Sequence, residues 1–433
     1  MPVKSKITEN LYKIGEIMTE ENMYDYGIIG SGPAGLTASF IAAKQGFSVI
    51  LFEKEELGGV CLNKGGIPTK TILNSVELYK EIKNLKELGI EVSDVKLNLS
   101  KIMERKDEVV EKLKKHFEKE IDEHNITFIK KEAHLIDEHT IECDGNQYKC
   151  SKVIAATGST PKPFRNLDFD HKFILNSEDL LNITEVPEKV VIIGAGAEGV
   201  EWARIFNAIG TEVTIAEKTS RLIHEADIEI SKELEKIFKE QGIKTYLSTD
   251  LDHIKDKKVT LTNGEIIEPD FVLIAIGRHV TRFDNDNNNI TYLGDAYGSL
   301  MLATFASYQA RALISDIVFD NVFVPSVVYG TPEIAWIGAN EQDLPNGSYD
   351  KVVYPLNKLA KANCDNQTEG FVKILTYQGY IIGAHIIGKE ASALIHEFAI
   401  AMQNNIKVSE LKKVCFAHPT YSEAVYESIL RLK

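Results

Sequence analysis

The chain is short of cysteine, with Cys61, Cys143, Cys150, Cys364 and Cys415 the only five in 433 residues. So few, so spread, cannot brace a chain of this length; a disulfide-framework fold is excluded, and a reducing, cytoplasmic location is expected. Long apolar runs are also missing: none approaches the ~20 residues of a membrane span. Basic charge is in deficit, and the formal net charge is −15. Nucleic acids and anionic membranes both select for a basic face, so neither is an expected partner. The opening MPVKSKITENLYKIGEIMTEEN has no apolar signal core and too many acids for a transit peptide, and residues 1–22 read as an N-terminal extension. The histidines show no metal-ligand spacing, so no metal site is expected. Against these absences stand 44% hydrophobic and 26% charged residues, an ordinary globular balance, in a chain too long for one core.

A short apolar stretch, Tyr24 to Ile29, leads into Gly30-Ser31-Gly32-Pro33-Ala34-Gly35, then an alanine-rich helical run to about Lys44, then FSVILFE ending at Glu53. Strand, glycine turn, helix, strand and acid form a dinucleotide-binding fingerprint with its context intact. The glycines permit a tight turn and close approach to a pyrophosphate at the helix N-terminus, and Glu53 can bind the ribose hydroxyls of an adenosine. The unit recurs as KVVII, Gly194-Ala195-Gly196-Ala197-Glu198-Gly199, a helix through Ala208, and EVTIAE ending at Glu217. In both copies the acid falls 23 positions after the first glycine, which predicts two dinucleotide sites. Glu217 would accept from a free 2′-hydroxyl and repel a 2′-phosphate, so NAD(H) is expected over NADP(H). Gly27, inside the first strand, marks a weak point or a close approach.

Between the fingerprints, apolar spacing predicts helices over 71–87 and 97–124. Short strands follow, with turns at Asp137-Glu138 and Asp144-Gly145, and a strand over Lys152 to Ala156 closes at Thr157-Gly158. Cys143 and Cys150 lie beside no base and read as packing or surface thiols. Beyond Glu217 come a helix from Ile228 to Gln241, strands over 244–275, Ile276-Gly277-Arg278, Tyr292-Leu293-Gly294-Asp295 and a helix of small residues. Strands and helices alternate to the end. The stretch Gly58 to Lys70, GGVCLNKGGIPTK, puts Cys61 in a glycine-rich approach to a helix, whose N-terminus would favour a thiolate.

Together these features resemble the pyridine nucleotide–disulfide oxidoreductases, and among them the dihydrolipoamide dehydrogenases, from about Tyr24 to the C-terminus. The resemblance implies an α/β protein with two Rossmann-like dinucleotide-binding domains and a C-terminal α+β dimerisation domain. On that reading 23–160 and 289–325 form the FAD-binding domain, 161–288 the NAD-binding domain and 326–433 the dimerisation domain of a homodimer. FAD would be held by Gly30, Gly32, Pro33, Ala34, Gly35, Glu53, Lys54, Gly59, Val60, Thr157, Gly158, Gly294 and Asp295, the last bonding the ribityl chain. NAD(H) would be held by Gly194, Gly196, Gly199, Glu217 and Gly277. Lys70 matches the lysine beside the flavin N5, and Glu201 its carboxylate partner. Cys61 matches the thiol that exchanges with substrate. His418, oriented by Glu423 within His418-Pro419-Thr420-Tyr421-Ser422-Glu423, matches the acid–base that reaches the other subunit's active site. A carboxylate on one ring nitrogen fixes the tautomer and raises the basicity of the other, as a general base needs.

Two departures stand out. The family's second redox cysteine is Gly66 here, and glycine can neither store electrons nor resolve a mixed disulfide. The link from Gly277-Arg278 to Gly294-Asp295 is also short and passes through the polar run DNDNNNI, which suits a loop. The expected activity is therefore that of an FAD-dependent oxidoreductase taking hydride from NADH for a small-molecule electron acceptor, of diaphorase or NADH oxidase type. Soluble transhydrogenases resemble this arrangement, but they use NADP(H), which Glu217 disfavours. The alternatives are a true dihydrolipoamide dehydrogenase using Cys61 with another thiol such as Cys415, and a non-catalytic homologue docking in a 2-oxo acid dehydrogenase complex.

Overall fold

The computed structural model describes residues 23–83, 85–283, 290–316 and 322–432. The extension read over 1–22 and most of the polar run, 284–289, lie outside the described residues. The chain divides into two compact units. The first takes Met1–Thr71, Met103–Pro161 and Arg278–Asp320, and the second Ile72–Ile102, Lys162–Gly277 and Asn321–Lys433. Among the described residues no helix is long and apolar enough to cross a membrane.

The first unit is built on a sheet in the order Thr127–Ile129, Val49–Phe52, Tyr24–Ile29, Asn146–Ala155, Thr140–Cys143, His134–Asp137, with Thr291–Tyr292 also paired to Asn146–Ala155. The long strand Asn146–Ala155 pairs antiparallel in its first half and parallel in its second, joining a meander to a Rossmann sheet. Alternation decides the two layers. Tyr26, Ile28, Leu51 and Ile154 face the helices, while Ile29, Ile50, Phe52 and Val153 face a cluster with Ile141, Cys143 and Cys150. Gly27 is a close approach: a Cβ there would lie 2.4 Å from Cys150 Sγ and 2.6 Å from Ile141 Cδ1. Burial pushes the Cys150 thiol up to about 12, as expected of a packing residue.

The helix predicted over 71–87 spans Gly66–Lys83, followed by a 3₁₀ turn over Leu85–Leu88. Gly65-Gly66-Ile67-Pro68 reads as loop, but proline is tolerated in a first turn, where its missing N–H would have no partner anyway. The second predicted helix spans Leu99–Glu123. At the start of the short link, Arg278–Val280 pairs antiparallel with Ser159–Pro161.

In the second unit a parallel sheet runs Lys244–Leu247, Glu212–Glu217, Lys189–Ile193, Phe271–Ile274, Ile174–Leu175. Its central strands read as unbroken apolar runs because both faces are buried. A three-stranded meander over Leu251–Lys255, Lys258–Leu261 and Ile266–Ile267 follows the helix Ile228–Glu240. The C-terminal part is a five-stranded antiparallel sheet, Ser326–Val328, Glu333–Gly338, Tyr380–Gly388, Phe371–Tyr377, Asp350–Pro355, packed against the helices Ala391–Gln403 and Ser422–Arg431. Within this core Lys373 is fully buried, 2.8 Å from Asp227 and 2.5 Å from Glu341.

Candidate functional site

The two fingerprints repeat one another atom for atom where it matters. Gly30 and Gly194 have φ of +100° and +104°, and a Cβ on either would stand 2.3 Å from the carbonyl oxygen of Ala156 or Ala275. Only glycine fits both constraints. Gly32 and Gly196 are the N-caps of the helices Pro33–Lys44 and Ala197–Ala208, neither capped by a side chain. A Cβ at either cap would meet nothing within 4 Å, so each helix N-terminus opens onto space that an anion can fill. Gly35 and Gly199 lie against the carbonyls of Gly30 and Gly194, bringing each helix close to its strand.

The acids use a shared device. Glu53 is buried; its Oε2 accepts from Ser31 N (2.9 Å) and Ser31 Oγ (2.7 Å), and its Oε1 from Glu55 N (2.8 Å). Glu217 is buried likewise, accepting from Ala195 N (2.7 Å) and Thr219 N (2.6 Å). Each carboxylate ties its glycine turn down and retains acceptor capacity for ribose hydroxyls. The open caps and fixed acids fit a dinucleotide in both units.

The first unit gathers the remaining residues expected at FAD. Ser31 Oγ accepts from Gly58 N (3.1 Å), and a Cβ on Gly59 would lie 2.7 Å from Gly32 Cα, so the Cys61 segment packs directly on the fingerprint. Pro33 opens the fingerprint helix, and Ala34 lies against Gly294, where a Cβ would be 3.3 Å away. Lys54 is exposed, 3.6 Å from Glu132. Val60 and Cys61 sit in the short helix Gly59–Asn63. Thr157 and Gly158 are tied to Thr281 by bonds in both directions. Ser159 Oγ donates to Asp295 Oδ2 (2.5 Å) and accepts from Arg278 Nε (2.8 Å), so the two-stranded ribbon holds Asp295 in place.

Cys61 is a partly exposed free thiol, as are all five cysteines in lacking a disulfide. A Cβ on Gly66 would stand 3.7 Å from Cys61 Sγ. Position 66 therefore faces the thiol. The expectation of a helix-stabilised thiolate needs correction: burial pushes the Cys61 thiol up, the Lys70 cation pulls against it, and Asp295 adds to the rise. Cys61 itself lies inside the five-residue helix Gly59–Asn63, ahead of the longer helix that starts at Gly66.

In the second unit Glu201 is buried on the second fingerprint helix and accepts from Tyr329 N (3.0 Å). Gly277 has φ +96° and open space beside it. His418 is exposed, with Nδ1 2.8 Å from Glu423 Oε1, while Glu423 Oε2 accepts from Thr420 N (2.9 Å). With Nδ1 as donor, Nε2 is the basic nitrogen. The His418 bond, with that from Thr420 N, holds the Glu423 carboxyl below its usual range. Cys61, Lys70 and Asp295 are thus brought together in the first unit, and His418 with Glu423 in the second. Sequence reasoning missed Ser31, Ser159, Arg278 and Tyr329, which orient these groups. Ser31 was recoverable, since it stands between the two fingerprint glycines; the others are neighbours only in the fold.

Residues 24–296 match the pyridine nucleotide-disulphide oxidoreductase family, and residues 324–429 match its dimerisation domain. A dihydrolipoamide dehydrogenase of Chaetomium thermophilum is 33% identical over 455 residues, covering 94% of this chain and 90% of that protein. A dihydrolipoyl dehydrogenase of Chlamydia trachomatis is 32% identical over 453 residues, covering 94% and 96%. The crystal structure of LpdA from Mycobacterium tuberculosis superposes with a TM-score of 0.87 at 24% identity, covering 94% of this chain and 99% of that one, a likeness of fold. The chain belongs to the pyridine nucleotide-disulphide oxidoreductase family, as an FAD- and NAD(H)-dependent oxidoreductase of the dihydrolipoyl dehydrogenase kind.

Proposed function

We propose that this enzyme passes electrons from NADH to a small-molecule acceptor without an internal redox disulfide, a diaphorase or NADH oxidase type of activity. The observation that carries this reading is Gly66, whose Cβ direction faces Cys61 Sγ at 3.7 Å but bears no thiol. Cys143 and Cys150 are buried in the core beneath the meander and cannot serve Cys61 without unpacking it. A thiol with no neighbour to resolve it can form a mixed disulfide but cannot release it.

When bound, FAD and NAD(H) supply the two-electron chemistry, and the chain supplies their placement. Gly30, Gly32 and Gly35 with Glu53, Thr157, Gly158, Gly294 and Asp295 are assigned to FAD, and Gly194, Gly196, Gly199, Glu217 and Gly277 to NAD(H). Glu217 selects NAD(H) by charge, since a 2′-phosphate would meet a buried carboxylate. Lys70 and Glu201 are assigned as the ion pair beside the flavin, and His418 with Glu423 as the acid–base of the homodimer.

The test compares NADH-driven reduction of a dye and of lipoamide by the FAD-loaded enzyme and its Cys61→Ser variant. Dye reduction that survives the substitution, with little lipoamide turnover in either protein, supports the proposal. Robust lipoamide turnover abolished by Cys61→Ser would sink it. A second reading rests on Cys415, exposed three residues before His418, as a replacement thiol. In that case Cys415→Ser would abolish lipoamide turnover as completely as Cys61→Ser.

A further inference from the structure

The second fingerprint helix carries a buried arginine that nucleotide binding does not call for. Arg204 lies one turn beyond Glu201, and both are about 95% buried, at 5% and 4% exposure. One residue, Tyr329, joins them. Tyr329 N donates to Glu201 Oε1 at 3.0 Å, and Tyr329 O accepts from Arg204 Nη1 at 2.9 Å. The next residue is Gly330, where a Cβ would lie 2.2 Å from Arg204 Nη1 and 2.4 Å from its Cδ. The guanidinium thus occupies the volume a side chain at 330 would need, and the two positions interlock.

The surroundings show that this arginine does more than fill space. Its Nε and Nη2 have no hydrogen-bond partner among the described residues, so the bond to Tyr329 O is what orients the guanidinium. Burial lowers its pKa to about 10, while Glu77, Glu201 and Glu333 act in the opposite sense, and it stays cationic at neutral pH. Lys80 faces the same group, and Thr331 hydrogen-bonds to Glu77. An apolar side chain would fill the site without the cost of desolvating a charge. The cation sits among the carboxylates of Glu77, Glu201 and Glu333, and the Tyr329 bridge leads to Glu201.

We propose that Arg204 is a positioning residue for the NADH-dependent step: through the backbone of Tyr329 it fixes the direction in which Glu201 presents its carboxylate. Oε1 accepts from Tyr329 N, and the guanidinium holds the same residue at Tyr329 O. The inference rests on the assignment of Glu201 as the carboxylate partner of Lys70.

The experiment is a double-mutant cycle on the FAD-loaded enzyme, with Arg204→Met and Glu201→Gln made singly and together. Anaerobic stopped-flow mixing with NADH reads the limiting rate of flavin reduction and the NADH dissociation constant separately. Each single variant is expected to slow the limiting rate about tenfold while NADH affinity moves less than about twofold, the coupling expected of groups in one network. The double variant should be no slower than Glu201→Gln alone. If the two effects multiply, or if Arg204→Met reduces at the wild-type rate while Glu201→Gln is slow, Arg204 only packs and the inference fails by itself. If Glu201→Gln reduces at the wild-type rate, the assignment of Glu201 fails and takes the inference with it. Should Arg204→Met not fold, Arg204→Lys and Gly330→Ala disturb the same bridge from its two sides, and both must lose their effect on the Glu201→Gln background.

Discussion

Replacing Gly66 by cysteine puts a thiol where the geometry has left its place open. In a relaxed disulfide one Cβ lies about 3 Å from the partner sulfur, with an S–S bond of about 2.05 Å. Here the built Cβ is 3.7 Å from Cys61 Sγ, so a closure of roughly 0.7 Å suffices. Apart from its chain neighbours and its own helix backbone, no atom stands closer to that Cβ than the sulfur, and φ at 66 is outside the left-handed region, so cysteine enters without a clash or backbone strain. A crosslink from 61 to 66 closes a six-residue loop, which the chain-entropy relation values at about 2 kcal/mol at 25 °C. Thiol titration of the denatured protein reads the outcome. The natural chain holds five free thiols, and the variant's sixth should raise the count to six when reduced and lower it to four when oxidised. Lipoamide turnover should appear with the oxidised form. Six titratable thiols after mild oxidation would mean that position 66 does not face Cys61, and the reasoning from Gly66 would fall.

Glu217→Ala should reduce the preference for NADH over NADPH by about tenfold, since tenfold corresponds to about 1.4 kcal/mol and the lost term is one buried charge against a phosphate; initial rates with both nucleotides check it. Lys373→Met should cost about 3–5 kcal/mol in a denaturant titration, because it leaves Asp227 and Glu341 without their buried cation. The same cluster sets acid sensitivity. Burial raises the Glu341 pKa, but hydrogen bonds from Lys351, Lys373 and Tyr349 outweigh it and bring it to about 2. Its stabilisation is therefore complete above the ordinary value of 4.5 and lost as pH falls towards about 2, and stability of the natural chain measured over that window should fall more steeply than that of Lys373→Met. Gly27→Ala should destabilise by about 1–3 kcal/mol through contact with Cys150 and Ile141, and Cys150→Ala should recover part of that loss in the double variant.

Both fingerprints were legible because their signals are local, although the strand read over FSVILFE spans only Val49–Phe52. Glycine turn, uncapped helix and terminal acid lie within one βαβ stretch, and Tyr24–Ile29, Lys189–Ile193 and Glu212–Glu217 form strands with the expected bounds. Gly27 marked either a weak point or a close approach, and could not name Cys150, whose strand lies more than a hundred residues away. The start of the helix at Gly66 was hidden by two glycines and a proline that resemble loop. The environment of Cys61 was misjudged for a different reason: a sequence shows the dipole but not the burial, and burial won. The groups that hold the site residues, such as Ser159 on Asp295 and Tyr329 on Glu201, come from distant segments with no motif of their own.

Electron capacity tests the central claim most directly. In an anaerobic titration of the FAD-loaded enzyme with NADH, the proposed function, in which the flavin alone stores electrons, predicts that the flavin spectrum bleaches fully with about one NADH per site. Uptake of two NADH per site, with a long-wavelength thiolate-to-flavin band at the first equivalent, would show that a second thiol works with Cys61 and would contradict the account.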